Sequence, residues 1–282
     1  MSSTKLVLCV PTGLDTGALA VRVGVDGRAT LHIGSACATG LHQVDSPLFD
    51  GEGNLFATYS GPRGHEAPVS IFRIGRDGTR EPFVSGIVNP TSMALGPDGR
   101  VYVSSRFDGC VYRLDPEGAA TKVAEDLGVA CGVAFDDEGR MYVGDRTGTI
   151  FRVRDGSVSL FATLPPSVAA FHLAMHPDGD LFVTAPTLRA YDPVYRIGRD
   201  GAVSTISAVL GRPQGLAFSP EGVLHVADAQ TGVGGVFRFD DLQGAPERVV
   251  AGDGLIGVAF GPGGQVVVAS NETAYRFDTD GA

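Results

Sequence analysis

A repeat of 40 to 46 residues, a glycine turn inside each copy and a recurring strand ending in arginine together predict an all-β fold. The architecture they predict is a six-bladed β-propeller of four-stranded blades. A small residue followed by an apolar run begins at Ser46, Ser92, Gly132, His172, Gly215 and Gly257, at spacings of 46, 40, 40, 43 and 42 residues. Each run leads into a turn: Asp50-Gly51-Glu52-Gly53, Pro97-Asp98-Gly99, Asp137-Glu138-Gly139, Pro177-Asp178-Gly179, Pro220-Glu221-Gly222 and Pro262-Gly263-Gly264. Glycine suits such turns because it tolerates φ > 0. The third strand of each copy then reads IFR from Ile71, VYR from Val111, IFR from Ile150, VYR from Val194, VFR from Val236 and AYR from Ala274.

The copy around Asn89 to Ala124 shows the unit in full. Ser92 to Leu95 is the first strand, and Val101-Tyr102-Val103, rich in β-branched and aromatic residues, is the second. Val111 to Leu114 follows a polar turn, and Ala120 to Ala124 follows Pro116-Glu117-Gly118. Ahead of the first copy, Lys5 to Val10, Ala18 to Val23 and Ala29 to Ile33 read as strands, with Val25-Asp26-Gly27 as a hairpin turn and residues 34 to 43 as a small-residue connection. The last copy stops just after its third strand, so an N-terminal strand is expected to complete it and close the ring. Ala29 to Ile33 is the expected closing strand, which leaves residues 1–28 as a surplus hairpin and 29–282 as the blades. A seven-bladed ring is the alternative, but its N-terminal blade would lack an innermost strand. With no linker or low-complexity stretch, residues 1–282 read as one domain.

Composition narrows the functional classes. Forty glycines and seventeen prolines suit short strands and tight turns, and 43% hydrophobic residues can build a large core. A formal charge of −10 leaves no Lys/Arg surplus for phosphates, which argues against nucleic acid. Four cysteines (Cys9, Cys37, Cys110 and Cys131) show no CxxC spacing, so a reduced, cytoplasmic protein is expected. The N-terminal stretch is too short for a signal h-region, and no apolar run is long enough to span a membrane. No GxSxG, HExxH, Walker-type or EF-hand motif appears in a suitable context.

The repeated arginines (Arg73, Arg113, Arg152, Arg196, Arg238 and Arg276) are expected to be structural partners between blades, since a residue present in every copy cannot single out one ligand. Function belongs where the copies differ. The residue before each innermost strand should lie nearest the channel axis: Asp45, Thr91, Cys131, Phe171, Gln214 and Ile256 are six chemistries at one position. Asp45 and His172 are the candidate catalytic residues. His172 stands where the other five copies have serine or glycine, and histidine is the side chain suited to acid–base work near neutral pH. Thr91, Cys131, Phe171, Gln214 and Ile256 are candidate substrate-binding residues, with Met93 making the channel fairly apolar. The loops between second and third strands add Tyr59, Arg106, Arg146 and Tyr191, and their arginines, Arg63 and Arg189 included, suit a small-molecule ligand that is anionic.

The G-[LV]-A-F…DG…[VL]-[YF]-V pattern, from about residue 29 to 278, resembles the NHL-type and senescence-marker/gluconolactonase propellers. Asp45-Ser46-Pro47-Leu48-Phe49 further resembles the acidic-Gly/Ser-Pro-x-aromatic motif of the gluconolactonase group. The resemblance implies hydrolysis of a small lactone or ester at the channel mouth, with Asp45 a ligand to a divalent metal (calcium, zinc or manganese) that polarises the carbonyl and acidifies a water. Where the family offers Asn or Asp in later blades, this chain has Thr91, Cys131, Phe171 and Gln214, a poor set for a hard cation. Two other readings follow from the same scaffold. One is a metal-free binding pocket or acid–base enzyme, as in strictosidine-synthase-like relatives; the other is a protein-interaction platform.

Overall fold

The computed structural model describes residues 17–23, 27–206, 210–230 and 232–277, so Lys5 to Val10 and Cys9 lie outside the described residues. Its described part is all β, with six four-stranded antiparallel sheets and one separate two-stranded hairpin. The innermost strands are Leu48–Phe49, Pro90–Leu95, Ala130–Phe135, His172–Met175, Pro213–Phe218 and Leu255–Phe260, which number blades 1 to 6. Each packs on the next, and Leu255–Phe260 packs back on Leu48–Phe49, so the six form a closed ring. Blades 1 and 4 therefore face each other across the axis.

An N-terminal strand closes the ring, but it is not Ala29 to Ile33. Gly27–Ile33 pairs with Gly17–Val23 as the two-stranded hairpin. The fourth strand of blade 6 is Ser35–Ala38, from the stretch read as a connection, with Ala274 opposite Ala38 and Tyr275 opposite Ala36. Ser-Ala-Cys-Ala has little intrinsic strand preference. What selects it is its place: Cys37 and Ala38 are buried on the blade, and the Cys37 thiol donates to the Ala274 carbonyl at 3.4 Å. The correction moves the boundary between surplus hairpin and blades from residue 29 to residue 35.

Strand alternation builds the core between neighbouring sheets rather than inside any one of them. Ile71, Val84 and Ile87 of blade 1, for example, pack against Met93, Val101, Val103 and Leu114 of blade 2. Each such Ile, Leu or Val contributes about 1.5–3 kcal/mol by leaving water. At the axis the strands approach too closely for ordinary side chains. Ser46 Oγ accepts the Val258 N–H and Ser92 Oγ the Val133 N–H, both at 3.3 Å, which ties adjacent blades. A Cβ on Gly257 would lie 2.5 Å from Ser46 Cα and 2.9 Å from Ser46 N. Backbone cannot yield as a side-chain tip does, so Gly257→Ala is expected to destabilise by about 1–3 kcal/mol. A shift in the urea midpoint measures this; unchanged stability would mean that the ring widens freely.

The repeated arginines are all partnered, but mostly within their own blade. Arg73 meets Glu81 at 3.1 Å, Arg113 meets Asp98 at 3.8 Å, and Arg238 meets Asp240 and Glu247, each at 3.0 Å. Arg196 pairs with Asp180, and Arg152 lies 5.6 Å over the Phe161 ring. Arg276 alone of the six reaches a neighbouring blade, donating to the Arg76 carbonyl at 2.7 Å. Antiparallel register explains the pattern, because the third strand lies directly beside the second and fourth strands of its own sheet.

Candidate functional site

The two candidate catalytic residues meet across the channel. His172 begins the inner strand of blade 4 and Asp45 precedes that of blade 1, on the opposite side of the ring. His172 Nδ1 lies 2.8 Å from Asp45 Oδ1, and His172 Nε2 lies 3.2 Å from Gln214 Oε1 on blade 5. His172 Nδ1 is buried and makes no well-aligned hydrogen bond, although Asp45 Oδ1 is its near neighbour. His172 is fully buried. It stands where the other blades have serine or glycine, and it reaches from blade 4 to blades 1 and 5.

The two carboxylate oxygens of Asp45 differ. Oδ1 accepts the Ser46 N–H at 2.7 Å and faces His172. Oδ2 has no protein partner among the described residues, and the side chain keeps 8% of its surface exposed. Asp45 also lines a cavity of about 320 Å³ on the axis, which runs along the inner strands past Ser92, Met93 and Ala134 to Leu95, Phe135, Met175, Phe218 and Phe260. One held and one free oxygen is the arrangement of an oriented base.

The other ring positions behave differently. Thr91 is buried and donates its hydroxyl to the Asn89 carbonyl at 3.0 Å. Phe171 and Cys131 are buried in the core between blades 3 and 4, and Ile256 is half-buried. Of the six, Asp45 alone lines the axial cavity, and Phe171 and Cys131 turn into the core instead. Alternation is the reason: Phe171 and His172 are consecutive, and side chains that follow one another in extended chain face opposite ways. The apolar lining comes instead from Met93 and the far ends of the inner strands.

The loops between second and third strands fold onto the loops that lead into the inner strands. Arg106 N–H donates to the Asn89 carbonyl and Arg146 N–H to that of Val129, both at 3.3 Å. Asp145 caps the Val129 and Thr147 N–H groups, and Asp228 caps those of Gly211, Arg212 and Gln230. These two aspartates hold loops. Tyr59 is half-buried and packs edge-on to Phe72 and His42, while Tyr191 is 58% exposed on the blade 4 loop. Arg106 is half-buried; burial lowers its pKa first, and the positive charges of Arg63 and Arg146 lower it further. Burial likewise pushes the Cys131 thiol up to about 11, against the pull of Arg106 and Arg146, so it stays protonated.

The divalent metal implied by the family resemblance does not fit these residues. Asp45 is the sole carboxylate of the ring, one of its oxygens is already engaged, and Phe171 and Ile256 offer no donor. Among the described residues no group of three His, Cys, Asp or Glu side chains is placed to hold a metal ion. A hard cation takes six or more oxygens, so one free oxygen is far short.

No protein-family model matches the chain. It is 27% identical to a gluconolactonase of Zymomonas mobilis over 224 residues, 74% of this chain and 55% of that protein. It is 29% identical to the pentonolactonase XacC of Haloferax volcanii over 122 residues, 43% of this chain and 42% of that protein. The chain thus spans about half the length of these relatives. Its fold matches that of a gluconolactonase from Xanthomonas campestris with a TM-score of 0.66 at 15% identity, covering 85% of this chain and 88% of the other.

Proposed function

We propose that this chain, a six-bladed propeller of the gluconolactonase-like superfamily, is a hydrolase that opens a small lactone or ester at the ring where channel and mouth meet. The observation that carries the reading is Asp45, with Oδ1 fixed by Ser46 and His172 and Oδ2 left free beside a cavity. In this mechanism Oδ2 takes the proton of an attacking water as the oxygen of that water adds to the lactone carbonyl. Oδ2 then returns the proton to the departing ring oxygen as the C–O bond breaks, which gives the hydroxy acid and regenerates the carboxylate. His172 is buried and acts as a positioning residue, with Gln214 steadying its far nitrogen. General-base catalysis of this kind is worth roughly 10²–10⁴-fold. The ester linkage is intrinsically reactive, so the rate does not call on a metal that the residues fail to hold.

The test is a panel of five- and six-membered lactones and simple esters, followed by proton release with purified protein. Saturable turnover of at least one lactone, above the buffer rate, is expected. If the panel is inert while thermal-shift screening finds organic ligands, the chain is a binding protein, and the apolar stretch of the cavity is its pocket. We propose a cytoplasmic location, on the buried free thiols of Cys37, Cys110 and Cys131 among the described residues.

A further inference from the structure

We propose that Arg63, Arg106 and Arg146 form a subsite for a carboxylate, so that the lactone opened by this propeller is itself an acid. The inference deepens the hydrolase reading and rests on it. These arginines stand on the corresponding loops of three adjacent blades, 1, 2 and 3. The six repeated arginines each have an acidic, carbonyl or aromatic partner. The three loop arginines have no ion pair and no side-chain hydrogen bond among the described residues.

The loops of Arg63 and Arg106 are tied to each other. Asn89 donates from its side-chain amide to the carbonyls of Ser60 and Pro62 and accepts the Gly64 N–H at 2.7 Å, which fixes the loop bearing Arg63. The carbonyl of the same Asn89 accepts the Arg106 N–H, so one residue fastens both loops. Phe107 packs under Gly64, its ring 3.0 Å from where a Cβ would stand. Arg106 Nε is buried and without an acceptor, an arrangement that is costly unless an anion completes it.

The aspartates of the blade 2 and blade 3 loops, and Asp45, face other groups. Asp108 accepts from Ser105 and Tyr112, Asp145 caps its own loop, and Asp45 faces His172. Like charges gathered without a counter-charge repel, whereas a ligand carboxylate would take two parallel N–H bonds from a guanidinium fork. Asp45, Arg106 and Arg146 all act electrostatically on the buried Cys131 thiol. In the proposed complex one small molecule spans the two, its carbonyl at Asp45 and its acid group on the arginines.

Two lactones that differ only in a carboxylate for a hydroxymethyl group, an aldarolactone and an aldonolactone, test this with wild type, R106Q and R146Q. The ratio of their kcat/KM values is expected to favour the acid and to fall roughly tenfold to a hundredfold in each variant, as loss of a charge-assisted hydrogen bond implies. The preference should also shrink as salt screens the site. No preference in wild type, or a preference that survives both substitutions, overturns the subsite. Calorimetric titration of the ring-opened diacid separates the two readings. Diacid binding without turnover of either lactone supports the subsite and overturns the hydrolase. Turnover of the neutral lactone without diacid binding does the reverse. Inorganic phosphate binding more tightly than the diacid overturns the assignment to carboxylate.

Discussion

Asp45→Asn is expected to lower kcat on the best lactone by about 10²–10⁴-fold, with KM little changed and the melting temperature close to that of wild type. Asparagine is isosteric, and its Oδ1 still accepts the Ser46 N–H that aspartate accepts at 2.7 Å. What it lacks is a carboxylate oxygen able to take a proton from water, the role of the unpartnered Oδ2 in the proposed mechanism. Wild-type kcat in this variant would remove Asp45 from the chemistry. A large loss of stability instead would make its contact with His172 a structural brace between blades 1 and 4.

His172→Gly is expected to act in two ways. Removing a fully buried ring leaves a cavity on the axis, so stability should fall by about 2–4 kcal/mol, read from urea unfolding. Because glycine stands at the same place in three other blades, the ring itself can still close. Activity should fall as well, by roughly 10²-fold in kcat rather than in KM, because a base displaced by an ångström loses that much. Added imidazole, which fits the vacated space, should restore part of kcat. If stability falls while kcat stays, or if imidazole has no effect, His172 supports the fold and does not position the base.

How much of this was legible in the sequence depends on what repeats. The six blades were readable because glycine turns and the arginine-ended strand recur in one order, each copy confirming the others. The closing strand was not. Ala29 to Ile33 has a strand's composition and is a strand, but it pairs with Gly17–Val23; Ser35–Ala38 looks like a linker and is a strand because of where ring closure puts it. Local preference carries no information about which edge a strand will find.

The candidate site divides in the same manner. Asp45 and His172 stood out as departures from the repeat, and each was visible alone. That they touch depends on the ring having an even number of blades, which sets blade 4 opposite blade 1. Phe171 was expected near the axis because it precedes the inner strand, but in extended chain it turns away from the side that His172 takes and packs in the core. The arginines of the loops could be placed on one rim from their position in the repeat. That they are unpartnered while the repeated arginines are paired is a property of three-dimensional neighbours, and only the structure supplies it.

A lactone-opening site whose base is a carboxylate, and whose residues do not assemble a metal, should be indifferent to divalent ions. The decisive quantity is the kcat of exhaustively chelated protein on the best substrate of the lactone panel, before and after adding back calcium, zinc or manganese. The stripped protein is expected to keep its full rate, and none of the three ions is expected to raise it. Loss of activity on stripping, restored by one of these ions, would contradict the proposed mechanism and would return Asp45 to the role of a metal ligand.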